Sequence, residues 1–257
     1  MSLTKWIIKI AAPLPKIEKF ERFLFVGPHP DDIEVGAGAT AAKLAAAGKQ
    51  IRFLVCTDGR FGFDNAPEGL TPDDLAAIRQ EEALHSAEVL GVRDVRFLGF
   101  SDGGLYKKKD LYRAILREIG EFGPEVILCP DPMVRSECHA DHLNVGEACR
   151  RAAFFAPNAP VMESFGTKAA PVRAIAFFMT ADNNQFIETS GFFPRQMEAL
   201  ACHKTQFPKG CATEKTITAY LKIRAVDLGL RTLHRTGEGF RVLGQTHMHC
   251  LPEAGRR

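Results

Sequence analysis

The stretch Arg22-Phe23-Leu24-Phe25-Val26-Gly27-Pro28-His29-Pro30-Asp31-Asp32-Ile33-Glu34 decides how the chain reads. Residues 22–26 read as a strand, and from Phe23 to Val26 the run is unbroken and apolar, the pattern of a strand buried on both faces. An acidic turn follows, then a small-residue segment from about Glu34 to Ala47 that reads as a helix closed by Gly48. The same alternation recurs outward. Strands are expected at 51–56, 95–98, 126–129 and 172–179, with helices at 72–90, 110–122 and 139–155 between them. Helices at about 193–206 and 214–234 and an extended piece at 240–243 complete the chain. Strands alternating with helices predict a mostly parallel sheet covered on both faces, a three-layer α/β sandwich of Rossmann-like type. Residues 1–20 read as an N-terminal extension and 21–257 as one domain. The Pro- and Ala-rich stretch from Ala156 to Pro171 reads as a surface connection.

Composition narrows the function classes. Apolar residues make up 46% and charged residues 25% of 257, a balance that supports a packed core without staples. The formal charge of +2 and the absence of a basic run argue against nucleic acid; Lys107-Lys108-Lys109 reads as a solvated loop. No apolar stretch reaches the ~20 residues of a membrane span, and Trp6-Ile7-Ile8-Lys9-Ile10 is a poor secretory signal. The seven cysteines are scattered without a CxxC pair, and Cys56 and Cys129 fall in expected strands. That pattern fits reduced thiols and a cytoplasmic location.

In such sheets, function gathers at the carboxyl ends of strands, where strand order reverses. Pro28-His29-Pro30-Asp31-Asp32 follows the first strand, and His139-Ala140-Asp141-His142 lies just beyond the fourth. A Rossmann-like order makes these strands neighbours, so both clusters converge on one crevice. Each cluster alone is ordinary: a His-Pro-Asp turn enters helices with Asp as N-cap, and HxxH occurs on polar helix faces. Their shared placement raises both. Two imidazoles and one carboxylate suit zinc and leave a fourth position for water. Adjacent Asp31 and Asp32 point differently, which frees Asp31 to handle a proton. Zinc lowers the pKa of its water to about 7 and polarises a carbonyl. Asp31 would accept the water proton and a protonated His139 would donate to the oxyanion, with the amine's proton coming from either. Glu34 reads equally as an acceptor orienting His29 or as a helix-dipole partner.

The motif His29-Pro30-Asp31-Asp32-x-Glu34, with His139-x-Asp141-His142 later, resembles the LmbE/PIG-L family of zinc N-deacetylases. The resemblance continues through Thr57-Asp58-Gly59, Arg79-x-x-Glu82-Ala83, Leu98-Gly99-Phe100-x-Asp102-Gly103-Gly104 and His203-Lys204-Thr205-Gln206. It implies substrates bearing an N-acetylglucosamine group. It also makes His29, Asp32 and His142 the metal ligands, Asp31 the base, and His139 the group that steadies the tetrahedral intermediate. Glu34 and Asp141 stand behind the ligands, and Arg79 and Asp102 meet sugar hydroxyls. Ala140 stands where the family often has proline, and Glu137-Cys138 where some members carry a tyrosine.

Other readings compete at several positions. Arg79 also reads as a surface ion pair with Glu81 or Glu82, and Asp102-Gly103 as an ordinary turn. The aromatics of the 58–65 loop serve either as a lid over a sugar or as loop anchors. Gly36-Ala37-Gly38 hints at a dinucleotide fingerprint, but its glycines lie inside the helix, where close packing on the sheet explains them better. His247 and His249 alternate as metal ligands can, and His85, His203 and His234 are helix histidines without an assigned partner. The expected function is a zinc hydrolase removing an N-acetyl group from an amino-sugar conjugate. The alternatives are a silent metal- or sugar-binding module and a nucleotide-dependent Rossmann enzyme. The expected partner is a small glycoconjugate, with no nucleic acid or membrane; association into a homo-oligomer is compatible with the sequence.

Overall fold

The computed structural model describes residues 3–251. Seven strands form the sheet: β1 (Arg22–Gly27), β2 (Gln50–Thr57), β3 (Asp94–Phe100), β4 (Val126–Pro130), β5 (Ala174–Phe178), β6 (Gln185–Glu188) and β7 (Gly237–Gly244). Their order is β3-β2-β1-β4-β5-β7-β6. The pairs from β3 through β5 are parallel, and β7 runs antiparallel to both β5 and β6. The helices are α1 (Leu3–Ala11), α2 (Asp32–Ala46), α3 (Pro72–Val89), α4 (Lys108–Phe122), α5 (Ala140–Phe155), α6 (Ala159–Ser164), α7 (Phe193–Leu200) and α8 (Ala212–Leu230).

The apolar strand runs are explained by two cores, one on each face. Leu24, Val26, Leu54, Ile127 and Phe177 face α4 and α5, packing on Leu111, Ile115, Ile119, Val145 and Ala152. Phe23, Phe25, Phe53, Leu128 and Phe178 face the other layer, against Ile33, Ala37, Ala41, Leu44 and Ala87. Successive residues of β1 thus enter opposite cores, as the period of 2 requires. Cys56 and Cys129 are buried free thiols. Gly36 and Gly38 serve close packing: a Cβ on Gly36 would overlap the Phe178 ring, and one on Gly38 would come within 2.9 Å of Gln196. That geometry leaves no phosphate cradle and removes the dinucleotide hint.

Three features differ from the sequence reading. The connection after Phe155 contains the short helix α6, started by Asn158, whose side chain accepts from Val161 N–H. The expected helix over 193–206 ends at Leu200, and the His203 motif forms a tight non-helical turn. The antiparallel pair β6–β7, joined through α7 and α8, ends the sheet at that edge; β6 has four residues, too few for a visible alternation. β1 and β4 are hydrogen-bonded neighbours, so residues after both meet at one edge.

Candidate metal centre and active site

The turn after β1 is fixed from below. Thr57, at the end of β2, donates both its N–H and Oγ1–H to Pro28 O. His29 N–H donates to Asp32 Oδ2 at 2.9 Å, which folds the turn back on itself. Asp31 absorbs the reversal with φ 117°, a left-handed conformation that a non-glycine residue holds only where its surroundings enforce it. One enforcing contact is visible. Arg79 of α3, 3% exposed, donates from Nη2 to Pro30 O and Asp31 Oδ2 and from Nη1 to Gly59 O. Neither Glu81 nor Glu82 takes this guanidinium; Glu82 instead accepts from Thr205 N–H and Oγ1–H.

Asp32 lies between two imidazoles, with Oδ2 3.0 Å from His29 Nδ1 and Oδ1 3.3 Å from His142 Nε2. One donor atom from each of His29, Asp32 and His142 falls within 4.8 Å of the others, the spacing of a metal-ligand set. Each imidazole has a carboxylate behind it: His29 Nε2 meets Asp141 Oδ2 at 3.1 Å, and His142 Nδ1 meets Glu137 Oε2 at 3.0 Å. A ring held by a carboxylate on its far nitrogen is how proteins orient a metal-binding histidine. His29, His139 and Asp141 form a second trio of similar spacing. Asp141, however, is fully buried and already accepts from Gly103 N–H, Gly104 N–H and Tyr106 Oη. It therefore backs His29, and the first trio is the set that fits a divalent ion.

Electrostatics agree with that fit. Burial pulls His29 down, but hydrogen bonds to Asp141 and Asp32 overcome it and bring its pKa to about 10. His142 behaves likewise: burial lowers it, while the charge and hydrogen bond of Asp32 raise it to about 9. Burial raises Asp32, yet His142 and His29 hold it well below the carboxylate range. Negative charge thus exceeds what neutral imidazoles can offset, and the pocket binds positive charge, as protons or as a cation. Asp31 differs. Burial raises it, the Arg79 charge only partly opposes this, and its pKa reaches about 6.

His139 is the N-cap of α5, its Nδ1 accepting from Asp141 N–H. Its ring lies 4.7 Å from that of His29 and 5.1 Å from that of His142, and its side chain is about half exposed. Burial, followed by the charges of His29 and His142, lowers its pKa. Across the crevice, Asp102 is 6% exposed; Oδ2 accepts from Phe61 N–H, and the buried Oδ1 has no hydrogen-bond partner. Glu34 does not orient His29, whose two ring nitrogens face Asp32 and Asp141. Its side chain points to the far side of α2, where Ser86 Oγ donates to Oε1 at 2.5 Å and His203 Nε2 lies 3.5 Å away. Sequence reasoning missed Glu137, Tyr106 and Ser86. Glu137 carried a local signal, five residues before His142; Tyr106 and Ser86 reach their partners only through the fold. His247 Nδ1 accepts from Gly244 N–H and its Nε2–H donates to Ala12 O, and among the described residues no metal-ligand group includes it.

A metal-ligand trio at the carboxyl edge of a Rossmann-like sheet, with a buried carboxylate beside it, defines a metal-centre hydrolase class of site. The chain belongs to the PIG-L family, whose profile, described as GlcNAc-PI de-N-acetylase, matches residues 24–153. It is similar to a diacetylchitobiose deacetylase of Thermococcus kodakarensis, with 31% identity over 98% of this chain and 93% of that protein. It is also similar to a 1D-myo-inositol 2-acetamido-2-deoxy-alpha-D-glucopyranoside deacetylase of Kineococcus radiotolerans, 32% identical over 55% of this chain and 47% of that one. The fold matches that of N,N'-diacetylchitobiose deacetylase from Pyrococcus horikoshii with a TM-score of 0.85 at 24% identity, covering 98% and 97% of the two chains. Among the described residues, no helix is long and apolar enough to cross a membrane.

Proposed function

We propose that this protein is a zinc-dependent N-deacetylase acting on a small glycoconjugate that carries N-acetylglucosamine. The observation that carries the reading is the His29–Asp32–His142 trio, with each imidazole backed by a carboxylate and with Asp31 held just outside it by Arg79. Relatives named for removing acetyl groups from N-acetylglucosamine compounds support the substrate class. His29, Asp32 and His142 would hold the ion, and Asp141 and Glu137 would orient the two rings. Zinc in such a set supplies Lewis acidity toward an amide carbonyl and toward water.

The remaining chemistry belongs to the chain. Asp31 Oδ takes the proton of the attacking water as it adds to the amide carbon. With its pKa brought to about 6, this carboxyl both accepts that proton and returns it to the departing amine near neutral pH. His139 supports the oxyanion. Because its Nδ1 accepts the Asp141 N–H, the neutral ring carries its proton on Nε2, which is the donor available to substrate. The lowered pKa of His139 favours this neutral form over the imidazolium expected from sequence. Arg79 acts through Asp31, since its hydrogen bonds go to Asp31 and to backbone carbonyls. Asp102 Oδ1, buried and unpaired, accepts a sugar hydroxyl.

Primary-amine release from N-acetylglucosamine and its conjugates tests the reading. Metal-loaded protein should cleave these and leave acetyl-lysine peptides intact. Cleavage of the peptides with N-acetyl sugars inert would replace the substrate class. Metal retention without turnover on any amide would turn the site into a binding module.

A further inference from the structure

The loop between β2 and α3 is built more rigidly than a surface loop needs to be, and it presents two aromatic rings to water. Arg60 binds Asp58 through Nε and Nη2 and Asp73 through Nη1. Gly59 O accepts from Arg79, Gly62 O from Gln206 Nε2, and Asn65 Nδ2 donates to Gln206 O and Thr213 Oγ1. Gly62 faces inward, where a Cβ would come within 2.5 Å of Arg79 Nη1 and 2.9 Å of Gln206 Oε1. On either side of it, Phe61 is 50% and Phe63 38% exposed. Among the described residues they are the two most exposed phenylalanines of a chain that has 19. Loop anchoring does not explain them, because polar groups and backbone hold the loop.

Position supplies the explanation. Phe61 N–H is bonded to Asp102 Oδ2, and the other oxygen of that carboxylate is buried without a partner. The loop that carries both rings is thus bonded to Asp102, whose buried Oδ1 lacks a partner, and through Arg79 to Asp31 beside the metal-ligand trio. A pyranose offers the complement, with an apolar C–H face for the ring and hydroxyl edges for the carboxylate. Isolated exposed apolar residues carry no message, but two rings on one fixed loop that is bonded to residues of the site make a surface suited to a flat, partly apolar partner. Fixing the loop in advance removes the ordering cost that a flexible lid would incur on binding.

We propose that Phe61 and Phe63 form an aromatic platform for the second sugar ring, the one joined to the N-acetylglucosamine unit that is deacetylated. The proposal rests on the deacetylase reading above and extends it to the substrate's length. Phe61 and Phe63 act in binding and touch none of the reacting atoms.

The test compares N-acetylglucosamine with its β-linked disaccharide, using metal-loaded wild type, Phe61→Ala, Phe63→Ala, the double variant and Phe61→Trp. The double variant should raise KM for the disaccharide about tenfold more than for the monosaccharide, the size of one well-packed ring contact. Phe61→Trp should restore most of the loss, because it keeps a flat apolar face. Saturation-transfer NMR should show contact with both rings of the disaccharide in wild type and loss of contact with the second ring in the double variant. Equal KM changes for the two sugars, or none, would overturn the platform. If wild type turns over neither sugar, the deacetylase reading fails, and the NMR measurement alone decides the platform. Undiminished saturation of the second ring in the double variant, or no binding by wild type, would then remove it.

Discussion

His139 and His142 sit one helical turn apart at the start of α5, yet the structure gives them different surroundings. His142 is tied to Asp32 and Glu137, whereas His139 caps the helix through Nδ1 and stays about half exposed. Asp31 and Asp32 divide in the same way, one facing Arg79 and the other the two imidazoles. His29→Ala, Asp32→Ala and His142→Ala are therefore expected to lose most bound metal, measured by elemental analysis after dialysis; full retention in all three would remove the trio as a metal centre. Asp31→Asn and His139→Ala should keep the metal while kcat falls roughly a hundredfold, as for loss of a general base or an oxyanion donor. Near-wild-type turnover by metal-replete Asp31→Asn would take the base role from this carboxylate. The residue types of this site were legible in the sequence, because the turn and the HxDH spacing are local. The roles of Arg79 and Glu34 were not. Whether a helical arginine meets sugar, solvent or an aspartate 48 residues earlier depends on how α3 packs beside the first turn.

At the level of elements, the site depends on how closely α5 lies against the end of β4. Gly146 makes that approach possible: a Cβ there would come within 2.6 Å of Pro130 O and 3.0 Å of Pro132. Backbone cannot yield to such a clash as a side chain does, so Gly146→Ala must shift the helix that carries Asp141 and His142. The expected cost is about 1–3 kcal/mol in stability, as for overpacking, together with weaker metal binding. Urea denaturation and metal titration would measure both. Gly191, with no atom within 4 Å of an added Cβ, provides the control, and Gly191→Ala should change neither. A Gly146→Ala protein of wild-type stability and metal affinity would show that the α5–β4 contact does not position the ligands. The same scale shows what periodicity can miss. The long helices were readable from their length between the apolar strand runs and from Gly48 and Gly91, both with positive φ, at the ends of α2 and α3. β6 and α6 were not, since four to six residues form where packing and capping place them, whatever their pattern.

At the scale of the whole sheet, one further buried carboxylate lies on its antiparallel part. Glu238 on β7 accepts from the N–H groups of Ala39 and Thr40 and so joins α2 to the antiparallel edge. Burial raises its pKa to about 7 from an ordinary 4.5, against the opposing effect of those hydrogen bonds. The folded protein thus holds a proton that the unfolded chain releases in this interval. The associated stability is fully present below about pH 4.5 and is lost as pH rises through 7. Between pH 5 and 8, wild type should lose on the order of 2 kcal/mol more than Glu238→Gln does. Denaturation of both proteins at each pH measures the difference, and parallel pH dependences would show that Glu238 titrates normally.

The sequence by itself determined the alternation of strands and helices, the burial of the sheet on both faces and the identity of the two polar clusters. Each of these follows from spacing along the chain: apolar runs, the helix-length segments between them, and histidines and aspartates a turn apart. The Rossmann-like order expected from that alternation put β1 beside β4, and the tertiary structure pairs them, which brings His29 to His142 across more than a hundred residues. The tertiary structure also decided that Asp141 backs His29 while Arg79 holds Asp31, and that the backbone of Phe61 bonds Asp102. The physical reason is that a carboxylate's role is set by which donors and charges surround it once water is excluded. Those neighbours come from four separate loops that meet only when both cores close around the sheet.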